Sequence, residues 1–481
     1  MISFVGCLVF LIAGYFIYGS LMERVFAIDT KRPTPAYAQQ DGVDYVPMSW
    51  WRVFLIQFLN IAGLGPIFGA IMGIMFGPAA FLWIVVGTIF GGAVHDYFSG
   101  MMSIREKGAS LPELVGKELG KYIKLFMRLF SLLLMVLVGA VFISGPAGLL
   151  AGMIPTVGAI VWTVLIFAYY MLATLLPVDK LIGRIYPVFG FALLFMAVGI
   201  LLALFLNNAH IPEFAEGFAN IHPNKSLHIF PMMFVSIACG AISGFHATQS
   251  PIMARCIKNE KYGQRCFYGA MVAEGIVALI WAAAASSFFG SIEALQKHVA
   301  DLPATANKAA EVVNVISKDW LGAVGGFLAI LGVVAAPITS GDTALRSARL
   351  IAADFLHIDQ KPIAKRLLIS IPIFVLTFII LQMNFDVLWR YFAWCNQTLA
   401  VFTLWTVTVY LCRKRKLYVI ALVPAVFMTM VCSTYIFVAP RPEGAGLAYP
   451  ASLAIGGTVT VFVVACFFVL KRKIRRSAVT K

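Results

Sequence analysis

Charge is what this sequence has least of. Only 12% of its 481 residues are Asp, Glu, Lys or Arg, while 61% are apolar, and that balance leaves too little polar material to cover soluble domains of this length. Other absences narrow the reading further. None of the eight cysteines stands in a CxxC pair, which excludes a zinc knuckle or a disulfide framework. No HExxH, no phosphate loop and no nucleophile with its base is present, and no loop is large enough to fold into a catalytic domain, so an enzyme has weak support. Acids are also outnumbered, 22 against 37 Lys and Arg. That excess would suit a nucleic acid only if it gathered on one folded face. It alternates by loop instead.

The long apolar runs set the architecture. A bilayer crossing needs about 20 apolar residues, and such stretches begin near Ile2, Trp51, Ala79, Leu125, Val157, Pro187, Ile229, Cys266, Trp320, Leu367, Val387, Leu417 and Pro450. The expected fold is therefore an all-α polytopic membrane protein of about 13 transmembrane helices. With the N-terminus outside and the C-terminus cytoplasmic, every Lys and Arg faces the cytoplasm except Lys225, Lys297, Lys308, Lys318, Arg390 and Arg441, as the positive-inside rule requires. The partners this implies are membrane lipids rather than nucleic acid. Ile2 to Met22 lacks a basic leader and a small-residue cleavage site, and reads as a retained helix.

Two of the runs are broken by small residues. Asn60 to Gly73 reads Asn-Ile-Ala-Gly-Leu-Gly-Pro-Ile-Phe-Gly-Ala-Ile-Met-Gly, and Ala238 to Ser250 reads Ala-Cys-Gly-Ala-Ile-Ser-Gly-Phe-His-Ala-Thr-Gln-Ser. A broken membrane helix exposes backbone groups that hydrocarbon cannot satisfy, so it persists only where it lines protein or a watery cavity. Asp96 follows Gly65 by 31 residues and Glu274 follows Gly244 by 30, and five crossings separate the breaks. The pattern predicts a five-plus-five inverted repeat, the plan of many secondary transporters. Its parts would be a peripheral helix at 1–22, repeats at 51–206 and 229–411, two peripheral helices at 417–470 and a basic cytoplasmic tail at 471–481.

Candidate residues follow from the breaks. Half-helix amino ends attract anions and carboxyl ends attract cations, which nominates Asn60, Gly63, Gly65, Pro66, Gly240, Ser243, Gly244, Phe245, His246 and Gln249 for substrate. The competing reading is that the glycines only let helices pack closely. An ionisable residue at membrane depth costs about 2.5–3.5 kcal/mol on insertion scales. Asp96, beside His95, and Glu274 are thus either coupling or gating groups, or satisfied interhelical partners. Thr339, Ser340, Asp342 and Thr343 gather oxygen at a Pro337 interruption where a kink is expected. They would hold sodium, carry a proton on Asp342, or bond back to their own helix. Trp394, Asn396 and Gln397 suit a gate, with Asn396 and Gln397 equally suited to hold helices together. The 291–319 loop, with an Ala-rich piece that would form a surface helix, would cap an outer vestibule.

Several motifs occur together and in order: Gly91-Gly-Ala-Val-His-Asp-Tyr97, Arg105-Glu-Lys-Gly-Ala-Ser-Leu-Pro-Glu113, Ala238-Cys-Gly-Ala-Ile-Ser-Gly-Phe-His246 and Thr339-Ser-Gly-Asp-Thr-Ala-Leu-Arg-Ser-Ala-Arg349. In these the chain resembles the carbon starvation protein A (CstA) family from its first span to its eleventh. The resemblance implies an inner-membrane importer of small peptides, with pyruvate and proton symport in close relatives. It also implies a LeuT-like core of the amino acid, polyamine and organocation type, without cofactor and coupled to a proton or sodium. In that core the substrate lies between the two breaks, and the common ion site maps onto Ala62, Gly63, Thr339 and Ser340. The chain is shorter than the large members of the family. A passive channel is the alternative from another class.

Overall fold

A computed structural model describes residues 1–42, 44–154, 156–175, 178–303, 307–360 and 362–477; the side chains of residues 175–187, 386 and 477 lie outside the description, as do the last four residues of the expected tail. Among the described residues the chain is helical, with no strand and one isolated bridge, Met48 to Ile257. Its principal helices are α1 Ile2–Phe26, the half-helices α2 Trp50–Ile61 and α3 Gly65–Ile74, α4 Ala79–Arg105, α5 Lys121–Met153, α6 Ala159–Leu175 and α7 Val178–Leu206. There follow the half-helices α8 (229–241) and α9 Gly244–Ala254, then α10 Glu260–Phe288, α11 Lys308–Leu356, α12 Ile363–Ile380, α13 Phe385–Arg413, α14 Val419–Val438 and α15 Tyr449–Ser477.

Ten helices among the described residues are long and apolar enough to cross a membrane, or eleven if the bent pair α2 and α3 is one span. Large apolar side chains face outward on the peripheral helices: Phe16 and Ile17 on α1, Leu368 and Phe378 on α12, Val461 and Phe462 on α15. A soluble protein would bury them, whereas hydrocarbon is their natural solvent. The inner helices are the reverse. The bundle core takes in Tyr97, Tyr170, Tyr268 and Trp281 with hardly any exposure.

The basic loops meet at one end. Arg105 makes a two-pronged pair with the buried Glu260 (3.1 and 3.0 Å), which also accepts the Asp29 backbone N–H. Arg255 donates to Gly108 O at 3.0 Å, and Arg413 reaches Glu118 at 3.1 Å. The opposite end is tied by Gln296, which donates to Met75 O and Ile221 O, and by Arg390 paired with Glu443 at 2.6 Å.

The long span expected from Trp320 to Phe355 lies within α11, with Pro337 inside it. Gly322 (φ 66°, ψ −174°) divides the helix, in a conformation that only glycine adopts cheaply, and residues 308–321 form a separate piece before the span begins. Together with Ile292–Asp301, that piece makes much of the 291–319 segment helical, more of it than the Ala-rich surface helix expected there. The basic turn after Arg105 likewise folds, as Leu111–Leu119, its apolar side packed inward.

Candidate functional site

Both breaks form, and they interlock. α2 and α3 meet at 53°, with α2 ending at Ala62 and α3 opening on a π turn at Gly65 and Pro66. In the second break Ile242 and Ser243 are extended and α9 starts at Gly244. A Cβ on Gly65 would lie 2.1 Å from that of Cys239, one on Gly240 would lie 2.7 Å from Ala278 and 3.5 Å from Pro66, and one on Gly63 would press on the Phe142 ring at 2.7 Å. At these glycines a neighbouring helix or ring comes closer than a side chain would allow, so close packing accounts for them directly.

The amino end of α9 is not an open anion site. Asn396 of α13 caps it, its Oδ1 accepting the Phe245 N–H at 2.7 Å and the Ser243 hydroxyl at 3.1 Å, while Nδ2 donates to Cys239 Sγ at 3.2 Å. This corrects the expectation for Phe245, whose amide is already taken and does not lie free for a carboxylate. Asn396 and Gln397 both bond between helices, the alternative expected for them. Gln397 donates to Phe234 O at 2.6 Å, satisfying α8 as Asn396 satisfies α9. Trp394 turns away to donate to Cys432 O of α14 at 3.0 Å.

Trp389, about one and a half turns earlier, faces a cavity instead. With Phe68, Phe76, His222, Asn307, Lys308, Arg390 and Glu443 it lines a cavity of about 430 Å³ at the end opposite the basic loops, roofed in part by the helical 291–319 segment. Rings then run inward from that cavity: Phe68 to Trp389 at 5.9 Å, Trp389 to Phe392 at 5.4 Å, Phe392 to Phe142 at 6.0 Å and Phe142 to Phe245 at 6.1 Å. They stand between the vestibule and the second break.

Behind α9 lies the most unusual feature of the core. His95 Nδ1 is 2.7 Å from Asp96 Oδ1, Asp96 Oδ2 is 2.8 Å from His246 Nδ1, and His246 Nε2 is 3.3 Å from Glu274 Oε2. All four side chains are fully buried. The structure thus joins three separately expected residues, on α4, α9 and α10, into one line of alternating acid and imidazole. The step to Glu274 is a close approach and not a hydrogen bond: His246 Nε2 and both Glu274 oxygens lack hydrogen-bond partners, as does His95 Nε2 at the other end. Two π turns, Gly87–Gly92 and Gln264–Tyr268, precede the acids on α4 and α10. Such turns are frequent at functional sites because they re-aim the side chains that follow.

The oxygen cluster on α11 faces the first break. Ser340 Oγ donates to Leu59 O at 2.9 Å, and Thr339 Oγ1 to Ala336 O at 2.7 Å. Thr343 Oγ1 approaches Asn60 Oδ1 at 3.4 Å while bonding back to Ser340 O at 3.0 Å. Ala62 and Gly63 are buried beside them. Asp342 points elsewhere: it is fully buried, 4.0 Å from Arg346, and neither of its oxygens has a hydrogen-bond partner. Gln249 donates to Thr248 Oγ1 at 2.9 Å.

Comparison with known proteins places this arrangement. The sequence model of the family described as "Carbon starvation protein CstA" matches residues 1–155 and 150–322. The chain belongs to the CstA family. It is 46% identical over 346 residues to a protein named "Uncharacterized membrane protein" of Haemophilus influenzae, covering 62% of this chain and 93% of that one. It is 30% identical to the "Peptide transporter CstA" of Bacillus subtilis, covering 56% of each. With the "Pyruvate/proton symporter BtsT" of Escherichia coli it shares 27% identity over 58% of this chain and 48% of that one. This CstA-family chain therefore spans about half the length of the named transporters it matches. A manganese transporter of Eremococcus coleocola has the same overall fold, with a TM-score of 0.61 at 10% identity over 91% of this chain and 99% of that one. The chain is a multi-pass membrane protein of a transporter family.

Proposed function

We propose that this chain is a proton-coupled secondary transporter of the inner membrane that imports short peptides. The observation that carries the reading is the buried line His95, Asp96, His246 and Glu274, in which imidazoles and carboxylates alternate at membrane depth. Two acids and two imidazoles are electrically neutral with one arrangement of protons and carry a net charge after losing one. His246 rides on α9, whose junction with α8 is extended, so that charge change acts on a segment with a natural hinge. Loading and unloading a proton would bias α9 between two positions and thereby open the two ends of the bundle in turn.

The remaining parts fit this scheme. Thirteen helices arranged as a LeuT-like five-plus-five repeat, N-terminus outside, put the vestibule at the outer face and the basic loops in the cytoplasm. Solute enters past Trp389 and Phe68 and is held where the breaks meet α11, with Asn60 and Gln249 in contact with it. Sodium at Ala62, Gly63, Thr339 and Ser340 is the other coupling ion this geometry supports, through the Leu59 carbonyl and the Ser340 hydroxyl. The likeness to a protein named a pyruvate/proton symporter supports pyruvate as a second substrate reading. No cofactor enters the scheme.

Uptake by proteoliposomes tests it. Labelled dialanine should accumulate above its outside concentration when an inward proton gradient is imposed, and pyruvate should not compete. Equilibration without accumulation would mean a passive channel, and dependence on sodium alone would move coupling to the α11 cluster.

A further inference from the structure

The vestibule opposite the basic loops has the size and lining of a binding site. Its volume of about 430 Å³ is that of a pocket for a small organic molecule, and helices α3, α8, α11 and α13 meet around it. The lining is of two kinds. Met72, Met75, Phe76 and Met232 contribute thioethers and a ring, and Phe68 and Trp389, whose rings are 5.9 Å apart, add further aromatic surface. The rest is polar, and its charges do not cancel.

Among the described residues of the lining the only carboxylate is Glu443, and Arg390 takes it at 2.6 Å. Lys308 enters no ion pair among the described residues. It stands on the first turn of α11, where Asn307 caps the helix by accepting the Ala310 N–H at 3.1 Å, and Asn307 and Ala309 face the same cavity. The Lys308 and Ala309 N–H groups precede the first bond within the helix. The helix dipole therefore adds to the ammonium there, and both favour an anion.

We propose that the vestibule is itself a binding site for an organic acid with an apolar body. Lys308 and the opening turn of α11 take the carboxylate, and the methionines and rings take the rest. Each part of the ligand is selected by what faces it. An amine of the same shape would meet Lys308 as a like charge, and an inorganic anion would leave the thioethers and rings nothing to cover. The site is set apart from the breaks by the rings of Trp389, Phe392 and Phe142. It needs the transporter reading only for its consequence: an acid held there stands in the path of solute entering past Trp389 and Phe68.

The test is equilibrium binding of labelled phenylacetate to the purified full chain in detergent. Its neutral and cationic counterparts, phenylacetamide and phenethylamine, serve as competitors. Wild-type protein should bind phenylacetate displaceably and prefer it to either counterpart by about tenfold or more. Lys308→Gln should lose about tenfold in affinity, and the preference with it, while Lys308→Arg should keep most of both. Lys297→Gln removes an exposed cation outside the cavity and should bind as wild type does. Thermal unfolding should be the same in all of them, since neither lysine makes an ion pair among the described residues. No displaceable binding by wild type, full affinity in Lys308→Gln, or an equal loss in Lys297→Gln overturns the inference. Liposomes separate the two levels. Phenylacetate on the vestibule side should inhibit gradient-driven dialanine uptake by wild type about tenfold more strongly than uptake by Lys308→Gln. Accumulation of dialanine without displaceable phenylacetate binding sinks the vestibule site and leaves the transporter, whereas binding without accumulation of any solute sinks the transporter and leaves the site.

Discussion

Replacing Asn396 by alanine should loosen the second break more than any comparable change on the surface of the bundle. The side chain makes three contacts there: Oδ1 takes the Phe245 N–H at 2.7 Å and the Ser243 hydroxyl at 3.1 Å, and Nδ2 reaches Cys239 Sγ at 3.2 Å. The Phe245 N–H belongs to the first turn of α9 and has no partner within its own helix, so alanine leaves it buried and unpaired at a cost of about 1–3 kcal/mol. The Ser243 hydroxyl can rotate to a carbonyl and adds little, while the small cavity left behind adds about 1 kcal/mol. The sum is about 2–4 kcal/mol. Denaturant unfolding in detergent, followed by tryptophan fluorescence, measures it. Asn396→Leu fills the space without the acceptor and should recover only the cavity share. If Asn396→Ala proves as stable as wild type to within about 0.5 kcal/mol, the cap does not hold the break together.

Three further outcomes follow from the packing and the charges. Gly244→Ala drives a Cβ to 2.3 Å from Asn396 O and 2.4 Å from Ala400 N; backbone cannot step aside, so the variant should lose at least about 1–3 kcal/mol and most of its uptake, read by unfolding and liposome transport. Arg105→Ala strands the buried Glu260 carboxylate and should cost about 3–5 kcal/mol in the same unfolding assay, with Arg105→Lys only a partial rescue because a point charge cannot make the two-pronged pair. Burial pushes the Glu113 carboxyl up, but hydrogen bonds from Lys124 and Arg128 outweigh that and hold it below the usual range. Its share of stability is therefore present above the ordinary glutamate pKa and disappears as pH falls through the lowered folded value; a pH series on Glu113→Gln should converge with wild type at acid pH.

Much of this was legible in the residues. The apolar runs located the helices because the bilayer sets their length, and the closely spaced glycines, proline and polar residues of 60–73 and 238–250 located the breaks because they interrupt otherwise apolar spans. Asp96, His246 and Glu274 stood out for their cost at depth, though nothing in their spacing showed that they form one line, since that depends on how α4, α9 and α10 pack. The capping role of Asn396 was hidden for the same reason: its partner is 151 residues away. That Trp389 rather than Trp394 lines the vestibule was not legible, because α13 is of similar polarity on every side and carries no signal of which face meets it. The span of α11 was expected from Trp320, close to the break at Gly322, but that a glycine divides the helix there shows only in its φ.

The claim that a proton moving along His95, Asp96, His246 and Glu274 drives transport is tested most directly with Glu274→Gln in proteoliposomes. The measurement pairs uptake of labelled dialanine under an inward proton gradient with exchange of dialanine across a membrane at equal pH. A glutamine keeps the shape beside His246 but cannot give up a proton, so the variant should exchange solute and fail to accumulate it. Accumulation by Glu274→Gln equal to that of wild type would contradict the account and remove this line of residues from the coupling mechanism.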